Sequence, residues 1–118
     1  MSVKMIGIED DGIAVLACSD QLDGLAMTAD GNAPLKQVLG ETCYTKRVAL
    51  DLGETGYIDS AAIGWLLSSH KSFKDAGGRI VIHSLQPGVQ RVIDMMRIGS
   101  VLEIAPNQEQ ALNQLRGS

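Results

Sequence analysis

The middle of the chain constrains the fold most, because it holds two strand-like runs separated by one long helical stretch. Arg47-Val48-Ala49-Leu50-Asp51-Leu52 is mostly apolar and bounded by polar segments, the pattern of a central strand covered on both faces. Gly53 ends it, and Asp59-Ser60 offers an N-cap to a helical stretch that Gly77-Gly78 stops. Within that stretch Ile63, Leu66, Leu67, His70 and Phe73 or Lys74 recur at three- and four-residue steps, which predicts one buried face. Arg79-Ile80-Val81-Ile82-His83 then reads as a β-branched strand. Two such strands joined by a helix predict a right-handed crossover and parallel pairing.

The flanks extend the same alternation. Runs over 3–8 and 13–18, joined by Asp10-Asp11-Gly12, predict an opening hairpin. The stretch 22–39 is interrupted by Gly24, Gly31 and Pro34, and a helix is placed over 34–39. Pro87 suits a first helical turn, with Val89, Val92, Ile93 and Met96 as the stripe that follows. A short strand over 101–104 and a helix over 109–116, carrying Ala111, Leu112 and Leu115, complete the series. The order ββαβαβαβα predicts an α/β fold with a mostly parallel mixed sheet and an N-terminal hairpin supplying the antiparallel strand. At 118 residues the chain is expected to form a single domain over 1–118.

Composition narrows the function. A content of 45% hydrophobic and 20% charged residues fits a folded globular protein. The formal net charge of -4 is the wrong sign for a phosphate-neutralising surface, so neither nucleic acid nor an anionic membrane surface is expected as a partner. The apolar runs fall far short of the roughly 20 residues that cross a bilayer, and the N-terminus lacks the organisation of a secretory signal. No direct membrane insertion and a cytoplasmic location are therefore expected. The aromatics are Tyr44, Tyr57, Trp65 and Phe73, too few for a base-stacking platform.

Catalytic chemistry is also missing. Cys18 and Cys43 have no CxxC partner and read as buried free thiols. His70 and His83 lack the further ligands a zinc site needs, and no phosphate-binding loop or nucleophile elbow is present, so no metal and no cofactor are expected. Asp51 and Asp59 lie around the end of the central strand, where α/β ligand sites form, but no general acid or nucleophile accompanies them. The chain is not read as an enzyme. A small thiol enzyme built on Cys18 is the third-ranked alternative, and it requires thiolate character near neutral pH.

The informative segment is Gly53-Glu54-Thr55-Gly56-Tyr57-Ile58-Asp59-Ser60-Ala61-Ala62-Ile63-Gly64. It places Asp59 and Ser60 beside unpaired helix-start amides and a positive dipole end. Capping alone explains much of this, and a recognition role at the same place is the functional reading. Phosphate on Ser60 would be tolerated by the helix start and opposed by Asp59. Gly64 serves either local packing or close approach of a partner. Trp65 is expected in the core, and Met95-Met96 as adaptable packing.

These residues carry a resemblance. The element order, Ile58-Asp59-Ser60-Ala61-Ala62-Ile63-Gly64, Gly77-Gly78-Arg79-Ile80-Val81 and the helix Pro87-Gly88-Val89-Gln90-Arg91-Val92-Ile93-Asp94-Met95-Met96 together resemble the STAS domain family, which includes the anti-sigma factor antagonists. The likeness covers almost the whole chain. Leu22-Asp23 sits where antagonists have a Gly-x-Leu-Asp loop, with Asp20 in place of the glycine and Gly24 following the aspartate.

The resemblance implies a STAS-like fold and a non-catalytic switch. In that switch an unphosphorylated STAS domain binds an anti-sigma factor with serine kinase activity, frees the sigma factor, and is released on phosphorylation. The family's Asp-Ser-Ser-Gly motif falls on Asp59, Ser60, Ala61 and Ala62, so the customary acceptor is Ala61, which has no hydroxyl. Ser60 remains as the candidate phosphorylation site, one position early and turned by about 100° around the helix. The resemblance assigns partner binding to Leu22, Asp23, Asp59, Ser60, Ala61 and Gly64. It also supports the alternative of a scaffold subunit in a stress-signalling or lipid-transport complex. A weak homodimer is left open by the residues.

Overall fold

The computed structural model describes residues 3–9, 11–18, 21–22, 40, 42–58 and 60–117, with the backbone alone for Val3, Lys4, Gln21, Leu22, Cys43, Tyr57, Ser60 and Ala61. The described elements are β1 (Val3–Ile8), β2 (Ala14–Cys18), β3 (Gln21–Leu22), a 3-10 turn (Cys43–Thr45), β4 (Arg47–Asp51), β5 (Tyr57–Ile58), α1 (Ser60–Ala76), β6 (Arg79–His83), α2 (Pro87–Met95), β7 (Ile104–Ala105) and α3 (Gln108–Arg116). The helix expected over 34–39 lies outside the described residues.

Five strands form one sheet in the order β1-β2-β4-β6-β7. β1 runs antiparallel to β2, and the pairs β2/β4, β4/β6 and β6/β7 are parallel, as the alternation predicts. The opening hairpin turns at Gly12, which sits at φ 87 while Glu9 N–H donates to the Ile13 carbonyl at 2.9 Å. That left-handed conformation is one glycine adopts freely.

The sheet is covered on both faces, and the strands show it by alternation. Val48, Leu50, Ile80 and Ile82 point to one side, into a core shared with Ile63, Leu66 and Phe73 of α1 and Val89 and Ile93 of α2. Ala49 and Val81 point to the other side, where Ala111, Leu112 and Leu115 of α3 cover them. Each fully buried Leu or Val side chain stabilises the fold by roughly 1.5–3 kcal/mol. Arginines at the strand starts tie α3 in place. Arg47 donates to the Leu115 carbonyl at 3.1 Å and Arg79 to the Gln114 carbonyl at 2.8 Å, placing cations where the helix leaves unpaired acceptors and its negative dipole end.

α1 ends by a left-handed turn. Gly77 sits at φ 88, Gly78 N–H donates to the Phe73 carbonyl at 2.8 Å, and Gly77 N–H reaches the Lys74 carbonyl at 3.4 Å. This is the paired hydrogen-bond pattern of a Schellman stop, and it accounts for the Gly77-Gly78 signal.

Three expectations are corrected. The buried face of α1 runs through Ala62, Trp65, Ser69 and Phe73 as well as Ile63 and Leu66, leaving His70 only half-buried. The last strand is Ile104–Ala105, since Val101 and Leu102 N–H groups are spent on the Ile98 carbonyl in a tight turn and cannot join the ladder. Met95 and Met96 are 76% and 49% exposed, outside the α2 stripe, because α2 buries Val89 and Ile93. Trp65 is in the core as expected. Among the described residues no helix is long and apolar enough to cross a membrane.

Candidate functional site

β4 and β6 stop together, with Asp51 and His83 as register partners at their ends. The loops that follow leave from the C-terminal edge of the parallel strands, where α/β folds present functional groups. The loop after β4 is braced from three directions. The Asp51 carboxylate accepts from Gly53 N–H at 2.7 Å, which closes an Asx turn. Gln86, at the entrance to α2, donates from Nε2 to the Gly53 carbonyl at 2.8 Å. Leu52 N–H donates to the His83 carbonyl at 3.0 Å, and Thr55 N–H to the Leu52 carbonyl at 3.0 Å. Ser84 lies at φ 62, a conformation that costs an L-residue roughly 1–2 kcal/mol.

The braced loop leads into β5, which pairs parallel with β3 to form a separate two-stranded sheet. Leu22 faces Ile58 in that register. α1 begins two positions after Ile58, at Ser60. The Leu22 backbone and the head of α1 are thereby brought to one place, although they are far apart in sequence.

Of the predicted partner-binding residues, Asp23 and Asp59 lie outside the described residues, and only the backbone is described for Leu22, Ser60 and Ala61. The described head of α1 is clear on the rest. Ala62 and Ile63 are buried, while Gly64 is exposed, and a Cβ built on it meets nothing within 4 Å. Among the described residues no packing requires the missing side chain of Gly64. Sequence reasoning missed two loop-positioning residues. Read as a lone carboxylate, Asp51 suggests only catalysis, yet Asp-x-Gly at a strand end is an Asx-turn signal. Gln86 carries no local signal, because its acceptor is on a distant loop.

The buried ionisable groups beside the loop are poor chemical groups. Cys18 is buried and free, and burial, reinforced by the Asp51 charge, pushes its thiol up to about 12. That removes the thiolate on which the thiol-enzyme alternative depends. Burial lowers the His83 pKa, with Asp51 opposing the shift, and its Nδ1 is 2.8 Å from Ser84 Oγ. Among the described residues no His, Cys, Asp or Glu cluster could hold a metal ion.

Comparison with known proteins adds to this geometry. The STAS domain pattern matches residues 8–111. The anti-sigma F factor antagonist of Paenibacillus polymyxa is 27% identical over 70 residues, covering 59% of this chain and 60% of that protein. A Bordetella bronchiseptica protein described as a candidate anti-sigma factor antagonist is 33% identical over 66 residues, covering 56% of this chain and 57% of that one. The matched part is therefore less than two thirds of each of these relatives. The crystal structure of a candidate anti-sigma factor antagonist from Thermotoga maritima superposes with a TM-score of 0.79 over 93% of this chain and 92% of that one, at 21% identity, a likeness of fold.

Proposed function

The chain belongs to the STAS domain family, a family of non-catalytic modules, and from that premise we propose that it is an anti-sigma factor antagonist. In this reading it acts in the cytoplasm by binding an anti-sigma factor with serine kinase activity. Its contact face is the head of α1 with the neighbouring Leu22-Asp23 segment: Leu22, Asp23, Asp59, Ser60, Ala61 and Gly64. The observation that carries the proposal is the pairing of β3 with β5, which brings Leu22 beside Ile58 at the head of α1, where Gly64 is exposed and meets no described residue. The relatives named as antagonists agree with it.

Ala61 at the customary acceptor position shapes the regulation. A methyl group accepts no phosphate, so the complex is not released by modification there, and Ser60 is the hydroxyl left at the helix start. The same residue favours a second reading, a scaffold subunit of a stress-signalling or lipid-transport assembly that never needs release.

The test is affinity capture of tagged protein from its own cells, with wild type, Asp59→Lys and Gly64→Arg run in parallel. Wild type should recover a serine kinase that also binds a sigma factor, and both variants should lose it while remaining folded. A transporter or large scaffold recovered in its place moves the assignment to the second reading. Undiminished recovery by both variants rejects the head of α1 as the contact face.

A further inference from the structure

The far end of α1 carries a cavity with no part in the proposed contact face. It has a volume of about 520 Å³, within the range of small-molecule sites. α1 contributes His70 and Lys74, one turn apart on a single face. The Gly77-Gly78 turn, Arg79 and Ile80 at the start of β6, and Val101 and Glu103 complete the lining. The helix start lies about 15 Å from His70 and about 21 Å from Lys74 along α1.

The charges in this cavity do not cancel. Arg79 spends its guanidinium on Glu103, with Nε 2.7 Å and 2.9 Å from the two carboxylate oxygens, and on the Gln114 carbonyl at 2.8 Å. That pair is neutral, and each of the three Arg79 nitrogens already has an acceptor. The Lys74 ammonium and the His70 ring remain, neither with a side-chain partner among the described residues. The carbonyls of Phe73 and Lys74, which would otherwise present the negative end of α1, accept from Gly78 and Gly77. One cation without a side-chain partner among the described residues and a ring nitrogen beside it, at a helix end where two of the four terminal carbonyls are capped, favour an anion of no more than single charge. Ile80 and Val101 add apolar lining, and Val101 is 50% exposed.

We propose that this cavity binds a small organic monoanion, a carboxylate with a short apolar body, its head on Lys74 and His70 and its body on Ile80 and Val101. The proposal rests on the cavity alone and is independent of which partner the head of α1 contacts. A ligand there would touch the C-terminal end of the helix whose N-terminal end forms the proposed contact face.

The test is a titration of the isotope-labelled full chain with pentanoate, followed by amide NMR, with pentanamide as the uncharged analogue. Pentanoate should give saturable shifts centred on Lys74, Gly78, Arg79 and Val101. Pentanamide should bind at least tenfold more weakly, and Lys74→Met should weaken pentanoate by about tenfold or more, the loss of one charge-assisted contact. Lys74→Arg should restore binding. Lys74 is exposed, and the amide spectrum itself reports that each variant is folded. Absence of saturable shifts, equal affinity for acid and amide, or an unchanged affinity in Lys74→Met would each overturn the proposal.

Discussion

Three glycines of α1 and its exit should respond to the same substitution in opposite directions. In Gly64→Ala the new Cβ meets nothing within 4 Å, so the fold gains the helical advantage of alanine, about 0.5–1 kcal/mol. In Gly77→Ala the space is also open, but φ is 88, and a Cβ in the left-handed region costs about 1–2 kcal/mol. In Gly78→Ala the Cβ would collide with the backbone carbonyl oxygens of Tyr44 and Lys46, which cannot swing away as a side chain would. Separating the two segments also strains the bond from Arg79 N–H to the Lys46 carbonyl at 3.0 Å. Overpacking of about 1–3 kcal/mol and a hydrogen bond of about 1 kcal/mol give a loss of about 2–4 kcal/mol. The assay is urea unfolding of the four proteins. With a slope of about 2 kcal/mol per molar urea, a spread of about 3 kcal/mol separates the extreme midpoints by about 1.5 M. The order should be Gly64→Ala, wild type, Gly77→Ala, Gly78→Ala. A Gly78→Ala protein as stable as Gly77→Ala, or a destabilised Gly64→Ala, would refute the reasoning. A stabilised Gly64→Ala shows in addition that the fold has no use for the missing side chain, as the partner-approach reading requires.

In a Cys43→Ser background, native Cys18 should label with iodoacetamide no faster than the chain unfolds, since a thiol at about 12 is ionised in only about one molecule in 10⁴ at pH 8. Labelling at the rate of a free cysteine would show that the thiol is reachable. His83 has a folded pKa below its unfolded value, so the unfolded state takes up the proton first and its contribution to stability is present above about pH 6.5 and lost as pH falls towards the folded pKa. Unfolding midpoints measured from pH 8 down to pH 5 should therefore fall less steeply in His83→Gln than in wild type, and parallel curves contradict the burial argument. Asn107 caps α3 through its side-chain oxygen, which accepts from Gln110 N–H at 2.9 Å, so Asn107→Ala should cost about 1 kcal/mol in the same assay while Asn107→Asp stays near wild type. Gln86→Ala removes an exposed brace worth about 1 kcal/mol or less to stability, yet it should weaken partner capture visibly; equal capture would show that the brace does not position the contact face.

The parts of the fold that were legible are those whose signal repeats. β4 and β6 were readable because each holds three consecutive apolar positions bounded by polar residues, and the end of α1 because a Schellman stop needs glycine at the left-handed position. The rotation of the α1 face was not readable, because Ser69 is polar in sequence and fully buried in the fold. Val101 misled for the opposite reason. It is β-branched, but its N–H is already committed to the Ile98 carbonyl, and propensity cannot see where a backbone donor is spent. β3 and β5 were illegible in principle, because two residues cannot display a period.

That last gap bears on how the proposed contact face is made. A helix start announces itself locally, by its capping residues and the periodicity after them. What fixes its surroundings is supplied mostly from outside: Leu22 by the pairing of β3 with β5, Gly53 by the Gln86 amide beside its local Asx turn to Asp51, and Leu52 by the His83 carbonyl. A local Asx turn and three residues distant in sequence, Leu22, His83 and Gln86, therefore hold the approach to α1, and none of those contacts draws on the buried face of the helix. The hydrophobic core sets the position of the α1 axis, through Phe73 against the Tyr44 ring at 5.1 Å and through Ile63 and Leu66 on the sheet. The polar braces set the loop that leads to its head. Because the two sets of contacts use different atoms, substitutions in the braces can change recognition while leaving most of the folding free energy in place.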